Sequence, residues 1–322
     1  MEERKMALRP LDNALPTTPE RPKKVAKVSV SSVRNLPDPG VNDENVAPMA
    51  AMDPTPDYVA SEDLKPLPDP EAKIKGLLDG LESKDWMKVC EALNDARRLA
   101  LYHSSLLLPL LDKVLLVMVK AMKNPRSALC KTSIMASTDT FQAFGHLLLS
   151  SSSVVAVDNL LLQLLLKASQ DKKFVCEEAE KALQAMTSSV PPIPLLQKLQ
   201  AYVGHANLKV RAKTAVSISN CVSKMLLLGL KETCISFSMQ ARKEIEEFGF
   251  VQLLRIAANF LNDRLPEARE SARSIGNSVY DALTTANAQT TSGMSSLESW
   301  QTFCTSNLPP ILAQAMVKIG PQ

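Results

Sequence analysis

The stretch SKDWMKVCEALNDA, Ser83–Ala96, decides how this chain is read. From Val89 onward the apolar residues Val89, Ala92, Leu93, Ala96 and Ala100 recur at i, i+3, i+4, i+7 and i+11, the spacing of one buried helical stripe. Trp86, one of only two tryptophans in 322 residues, lies three positions before Val89 and continues that stripe inward. Helical geometry alone therefore favours core packing. Its place in the first turn, between Lys84, Asp85 and Lys88, favours a ring covered behind and open in front, the composition of a binding hot spot. Both readings stand on the residues.

The same pattern returns along the chain. Second helices opening DWMKVCEALNDA (85–96), PRSALCKTSIMA (125–136), KKFVCEEAEKAL (172–183), NLKVRAKTAVSI (207–218) and LPEARESARSIG (265–276) superpose at their starts. Each holds a small or apolar residue before Cys or Arg: Val89-Cys90, Leu129-Cys130, Val175-Cys176, Val210-Arg211 and Ala268-Arg269, spaced 40, 46, 35 and 58 residues apart. The long last gap contains an additional segment, SKMLLLGLKETCISFSMQ. A Leu-rich first helix precedes each turn, over 73–82, 106–122, 159–168, 194–203 and 244–261, and 297–319 supplies a sixth, partial unit. Two helices and a turn repeated at roughly 40 residues is the period of HEAT or armadillo units. The expected fold class is all-α, an α-solenoid of about five to six helix-turn-helix repeats.

Composition agrees: 45% of residues are hydrophobic, aromatics are 4%, and glycines number only 10. The unbranched side chains that dominate lose little rotamer freedom in a helix. Six dispersed cysteines, with no CxxC, read as reduced, mostly buried thiols of a cytosolic protein. MEERKMALRP lacks the apolar core of a signal peptide, and LLLPLLDKVLLVMVKAM is interrupted by Asp112, Lys113 and Lys120, so no membrane span is expected. Twelve of 21 prolines fall before residue 71. Residues 1–34 carry eight Lys/Arg and four acids, and residues 35–70 carry one Lys and eight acids. The expectation is a disordered, Pro-rich, charge-segregated tail over 1–70 and a mildly basic repeat domain over 71–322.

Successive repeats are related by small rotations, so their internal turns should share one long edge. Near those turns stand Lys84 and Lys88, Lys123 and Arg126, Lys172 and Lys173, Lys209 and Arg211, and Arg264 and Arg269, with Asp85, Asp171, Asp263 and Glu267 among them. Such a row suits an extended acidic surface. It is also what ordinary solvated turns look like. Arg211 and Arg269 sit one helical turn inside their helices, where a brace to an adjacent repeat is as good a reading as a partner contact.

The ordered set of turns resembles a known family. LLDGLESKDWMKVCEAL is similar to the opening repeat of TOG domains, and MKNPRSALCKTSI, DKKFVCEEAEKAL, GHANLKVRAKTA and LNDRLPEARESA resemble the later turns of the CLASP and crescerin branch, over about residues 71–290. The resemblance implies a HEAT-repeat paddle that binds the αβ-tubulin heterodimer, or the microtubule lattice, along its turn edge. Carried over by position, Trp86 would be the apolar contact. Lys84, Lys123, Arg126, Lys172, Lys173, Lys209, Arg211 and Arg264 would meet acidic tubulin surface. Pro125 departs from the apolar residue usual in the second turn, and a single domain lacks the avidity of a tandem array. The implied location is cytoplasmic, on microtubules, with other microtubule-associated proteins as further partners.

Other classes find little support. His103, His146 and His205 have no catalytic or metal-ligand companions and read as surface or capping residues, and there is no Gly-rich phosphate loop, GxSxG or HExxH. No enzyme, metal site or cofactor is expected. Nucleic-acid binding is disfavoured by the modest charge and the absence of an aromatic stacking platform. The rival reading is a HEAT or armadillo scaffold or adaptor for a non-tubulin partner. Its peptide-binding form wants Trp-x-x-x-Asn, whereas Trp86 and Trp300 are followed by Cys90 and Cys304. In the tail, Thr18 precedes Pro19 near Lys23, Lys24 and Lys27, a candidate phosphorylation site whose added charge would offset those lysines.

Overall fold

A computed structural model describes residues 58–149, 154–230, 248–287 and 295–319, all within one compact unit, Asp53–Gln322. Residues 1–57, with Thr18, and the stretch 231–247 lie outside the described residues.

Helix α1, Pro70–Leu81, begins where the Asp69 carboxylate accepts from the Ala72 N–H and Pro70 occupies the first helical position. Helix α2, Trp86–Tyr102, starts in the same way, with Asp85 accepting from the Met87 N–H at 3.0 Å. The expected first helix 106–122 is divided into α3, Ser104–Leu107, a 3-10 turn Leu108–Leu110, and α4, Leu111–Met122. Pro109 accounts for the break, because it has no N–H and its ring clashes with the preceding turn. Then follow α5, Ser127–Phe144, α6, Val154–Lys167, α7, Lys173–Ser189, α8, Pro192–Leu199, and α9, Leu208–Leu230. Helix α10, Phe250–Leu261, enters from Gly249 at φ 92°, and α11 runs Pro266–Asn287. A closing hairpin of α12, Ser296–Asn307, and α13, Pro310–Val317, forms the sixth unit. No strand occurs among the described residues.

The helices form two layers. Second helices α2, α5, α7, α9 and α11 pack in chain order, each on the next, and first helices α1, α4 and α6 pack likewise. Each of α1, α4, α6, α8 and α10 also packs on the second helix of its own repeat. The five superposed positions Val89, Leu129, Val175, Val210 and Ala268 are all buried, so the register read from sequence is the register of the fold. Leu93, Leu115, Met118, Ile134, Phe141 and Phe260 are sealed from solvent between the layers, each such burial contributing about 1.5–3 kcal/mol. The closing hairpin is plugged by Trp300, which meets Tyr280 edge-on at 5.6 Å and stacks on Phe303 at 6.1 Å. Where α5 ends, Gly145 lies so near the end of α7 that a Cβ there would fall 2.5 Å from Ser189 Cβ, closer than atoms tolerate.

Described, packed residues begin at Tyr58, ahead of the boundary at 71. Residues 58–69 form a strap over α2 and α5. Leu64 and Leu67 are buried in it, and Tyr102 Oη donates to the Leu64 carbonyl at 2.6 Å. Under the strap lies an ion pair with both side chains fully shielded: Arg97 Nε donates to Asp139 Oδ2 at 2.6 Å. The strap completes the pair. Arg97 Nη1 donates to the Val59 carbonyl at 2.8 Å, and Ser61 Oγ donates to Asp139 Oδ1 at 2.6 Å. Charge segregation and proline had hidden the few apolar residues that dock this segment.

Candidate functional site

The five turns between first and second helices are joined into one continuous edge by side-chain contacts between neighbours. From the second turn, the Arg126 guanidinium lies over the Trp86 ring of the first, 5.4 Å from its centroid. From the third, Lys172 Nζ donates to Ser127 Oγ of the second at 3.0 Å. From the fourth, Lys209 Nζ pairs with Asp171 of the third at 2.5 Å. Arg211, also of the fourth, donates through Nε to Asp263 of the fifth at 2.9 Å. Residues 38 or more positions apart in sequence are thereby placed side by side.

The apolar end of this edge is Trp86. Its ring packs against the core from the helix side and is partly buried. Continuing the inward stripe covers the back of the ring. Standing at the first helical position leaves its front to Arg126 and solvent, a cation–π contact worth about 0.5–1 kcal/mol at an exposed site. Trp300, by contrast, is core. A second apolar group on the edge was not singled out from sequence: Phe174, at the second position of α7, is 44% exposed beside Lys172 and Lys173. The signal for it was present, because Phe174 directly precedes the buried Val175 and so points off the inward stripe.

The cations divide into two groups. Lys84, Lys123, Arg126, Lys172, Lys173 and Arg264 are exposed, and Lys84, Lys123, Arg126, Lys172 and Arg264 form no salt bridge among the described residues. Lys173 makes only a loose contact with Glu177 of its own helix, at 3.7 Å. Lys209 is exposed but pairs with Asp171, and its hydrogen bond and charge hold that carboxyl below the usual range. Arg211 and Arg269 are braces. Arg211 spans Asp263 and the His205 carbonyl, and Arg269 Nη1 donates to the carbonyls of Asp263 and Arg264 at 2.8 and 2.9 Å. Burial works to raise the Asp263 carboxyl, but the Leu265 N–H and Arg211 outweigh it and hold the group below its ordinary value. One turn deeper, Lys213 bridges Glu180 and Glu267 at 2.8 Å each; burial opposes its charge, yet the two carboxylates win and raise its pKa. Unpaired positive charge is therefore concentrated on turns one to three and at Arg264.

No family model matches the chain. Over 207 residues, 64% of the chain, it is 30% identical to TOG array regulator of axonemal microtubules protein 1 of Mus musculus. Over 160 residues, 48% of the chain, it is 30% identical to the Homo sapiens protein of the same name. This chain is similar to a segment of the TOG array regulators. It spans only 11% and 9% of the length of these two curated relatives. Among solved structures, the MAST/Orbit N-terminal domain is similar at 12% identity and a TM-score of 0.48, covering 76% of this chain and 94% of that one.

The backbone of the turn edge is fixed at its helix starts. Its side chains project from helix starts locked by Asp85 and by the Asn124, Asn207 and Asp263 side chains, which accept from backbone N–H groups two residues on. Among the described residues, no group of three or more His, Cys, Asp and Glu is placed to hold a metal ion, and no helix is long and apolar enough to cross a membrane.

Proposed function

We propose that the turn edge is a tubulin-binding surface and that the chain acts, without catalysis, in microtubule dynamics or organisation. The observation that carries this reading is the continuous edge: a partly buried Trp86 under Arg126, followed by Lys123, Lys172, Lys173 and Phe174, all on turns tied to one another. An aromatic anchor beside uncommitted cations is the arrangement of a hot spot facing an acidic partner. The similarity to proteins named as regulators of axonemal microtubules supports tubulin as that partner. On this reading the αβ-tubulin heterodimer lies along turns one to three, Arg264 adds a distal contact, and Lys209 contributes once its bond to Asp171 yields. The chain then works on cytoplasmic microtubules, where a single module gains avidity from a second lattice contact or from self-association.

The full chain should shift αβ-tubulin on size-exclusion chromatography, with a shift that weakens as salt rises. Trp86→Ala and the charge reversal Lys123→Glu/Lys172→Glu should each abolish the shift, the second with an unchanged melting curve. Absence of a complex at low salt, or full binding by the charge-reversed chain, refutes the reading and leaves the scaffold for another partner.

A further inference from the structure

The strap ends its ordered contacts on a serine whose hydroxyl is part of a buried charge network, and nothing in the turn edge accounts for it. Ser61 Oγ donates to Asp139 Oδ1 at 2.6 Å and itself accepts from Arg97 Nη2 at 3.4 Å. Asp139 and Arg97 are fully shielded, whereas Ser61 is partly exposed in a short 3-10 turn, followed by the exposed Glu62 and Asp63. Three polar attachments hold residues 58–61. They are the Tyr58 ring against Lys131 Nζ, 4.6 Å from its centroid, the Val59 carbonyl on Arg97, and the Ser61 hydroxyl on Asp139. The first buried apolar residue of the strap is Leu64. Opening residues 58–63 thus breaks polar contacts without disturbing the helical layers, the kind of local event a folded domain samples.

We infer that Ser61 is a phosphorylation site and that its phosphate releases the strap. The network requires a donor at this position, because Asp139 Oδ1 accepts from it. A phosphoserine presents only acceptors and adds about −1.5 to −2 charge at neutral pH. The Asp139 carboxylate cannot turn to water, since α2, α5 and the strap enclose it. Arg97 Nε and Nη1 are committed to Asp139, Val59 and Asn94, which leaves Nη2, 3.4 Å from Ser61 Oγ, as its one edge toward the phosphate; a single positive charge already balanced by Asp139 does not also neutralise a dianion. Like charges at hydrogen-bond distance in a shielded site repel, where the hydroxyl they replace made a short charge-assisted bond to the same carboxylate. The side chains that follow, Glu62 and Asp63, give the serine the acidic flank that an acid-directed protein kinase recognises through basic residues. The γ-phosphoryl of a nucleoside triphosphate would move to Ser61 Oγ. The Oγ–P bond forms as the β,γ-bridging P–O bond breaks, nucleoside diphosphate leaves, and the hydroxyl proton passes to the kinase's base. The site is separate from the turn edge, and the inference stands whether or not that edge binds tubulin.

The test uses the full chain with an acid-directed serine/threonine kinase and a nucleoside triphosphate, followed by peptide mass spectrometry and hydrogen exchange. Phosphate is expected on Ser61, and the amides of 59–67 should exchange about tenfold faster or more while those of α11 stay unchanged. Ser61→Asp should reproduce the acceleration, and Ser61→Ala, which loses the bond without adding charge, should give a clearly smaller one. No phosphate at Ser61 overturns the proposal. So does unchanged or slower exchange in the phosphorylated strap, loosening that reaches α11, or an alanine variant equal to the aspartate.

Discussion

Arg126, from the second turn, lies over the ring of Trp86, from the first, 40 residues away in sequence and 5.4 Å from the ring centroid. The contact joins two repeats at their solvent edge and holds the indole half-covered. Arg126→Ala should raise the quenching of Trp86 fluorescence by acrylamide, measured in a Trp300→Phe background, and should cost no more than about 1 kcal/mol in denaturant unfolding. Trp86→Ala should cost about 1–2 kcal/mol, below the 3–5 kcal/mol of a core tryptophan, because part of the ring is already in water. A larger loss would make Trp86 a core plug rather than an anchor.

The Arg97–Asp139 pair should behave as a buried ion pair does when one member is removed. Asp139→Ala leaves an uncompensated guanidinium inside the unit and should destabilise it by about 3–5 kcal/mol. Replacing both with apolar residues of similar volume should recover much of that loss, a comparison made by chemical denaturation.

Truncation should discriminate between two starting points. A fragment of residues 58–322 should melt like the full chain. One of residues 71–322 forfeits the burial of Leu64 and Leu67, about 1.5–3 kcal/mol each, and opens the ion pair to water. Equal melting temperatures for the two fragments would mean that the strap contributes nothing.

Acid should find the Asp263 brace. Its carboxyl is held below the ordinary 3.8, so its ionised form favours the folded state. That contribution is complete above the unfolded value and is lost as the pH falls from about 4 through the lowered folded value. Asp263→Asn should lower stability at neutral pH and flatten the decline in melting temperature below pH 4. An unchanged acid slope would exclude Asp263 as a source of it.

Much of this architecture was legible because local rules and global packing agree. The stripe from Val89 to Ala100 faces inward as its spacing requires, and the five apolar positions before Cys or Arg are all buried. What escaped were relationships between residues far apart in sequence. The pairing of Arg97 with Asp139 exists only once α2 and α5 are laid together with the strap across them. Leu64 and Leu67 escaped because each is flanked by prolines and charges, and composition averages over the few side chains that dock. In the candidate site, the positions of the cations followed from the turns. Their availability did not: Lys209 and Arg211 are engaged by acids from neighbouring turns, which only the stacking of repeats brings within reach.

The strap also changes how the array holds its stability. Stacked repeats approximate a one-dimensional chain in which each unit answers only to its neighbours, and the terminal unit, with one neighbour missing, frays first. Here the first repeat has a second tie. Residues 59 and 61 are bonded at once to the first repeat, through Arg97, and to the second, through Asp139. The strap therefore couples the first two repeats in addition to the direct packing of α2 on α5, while belonging to neither helical layer.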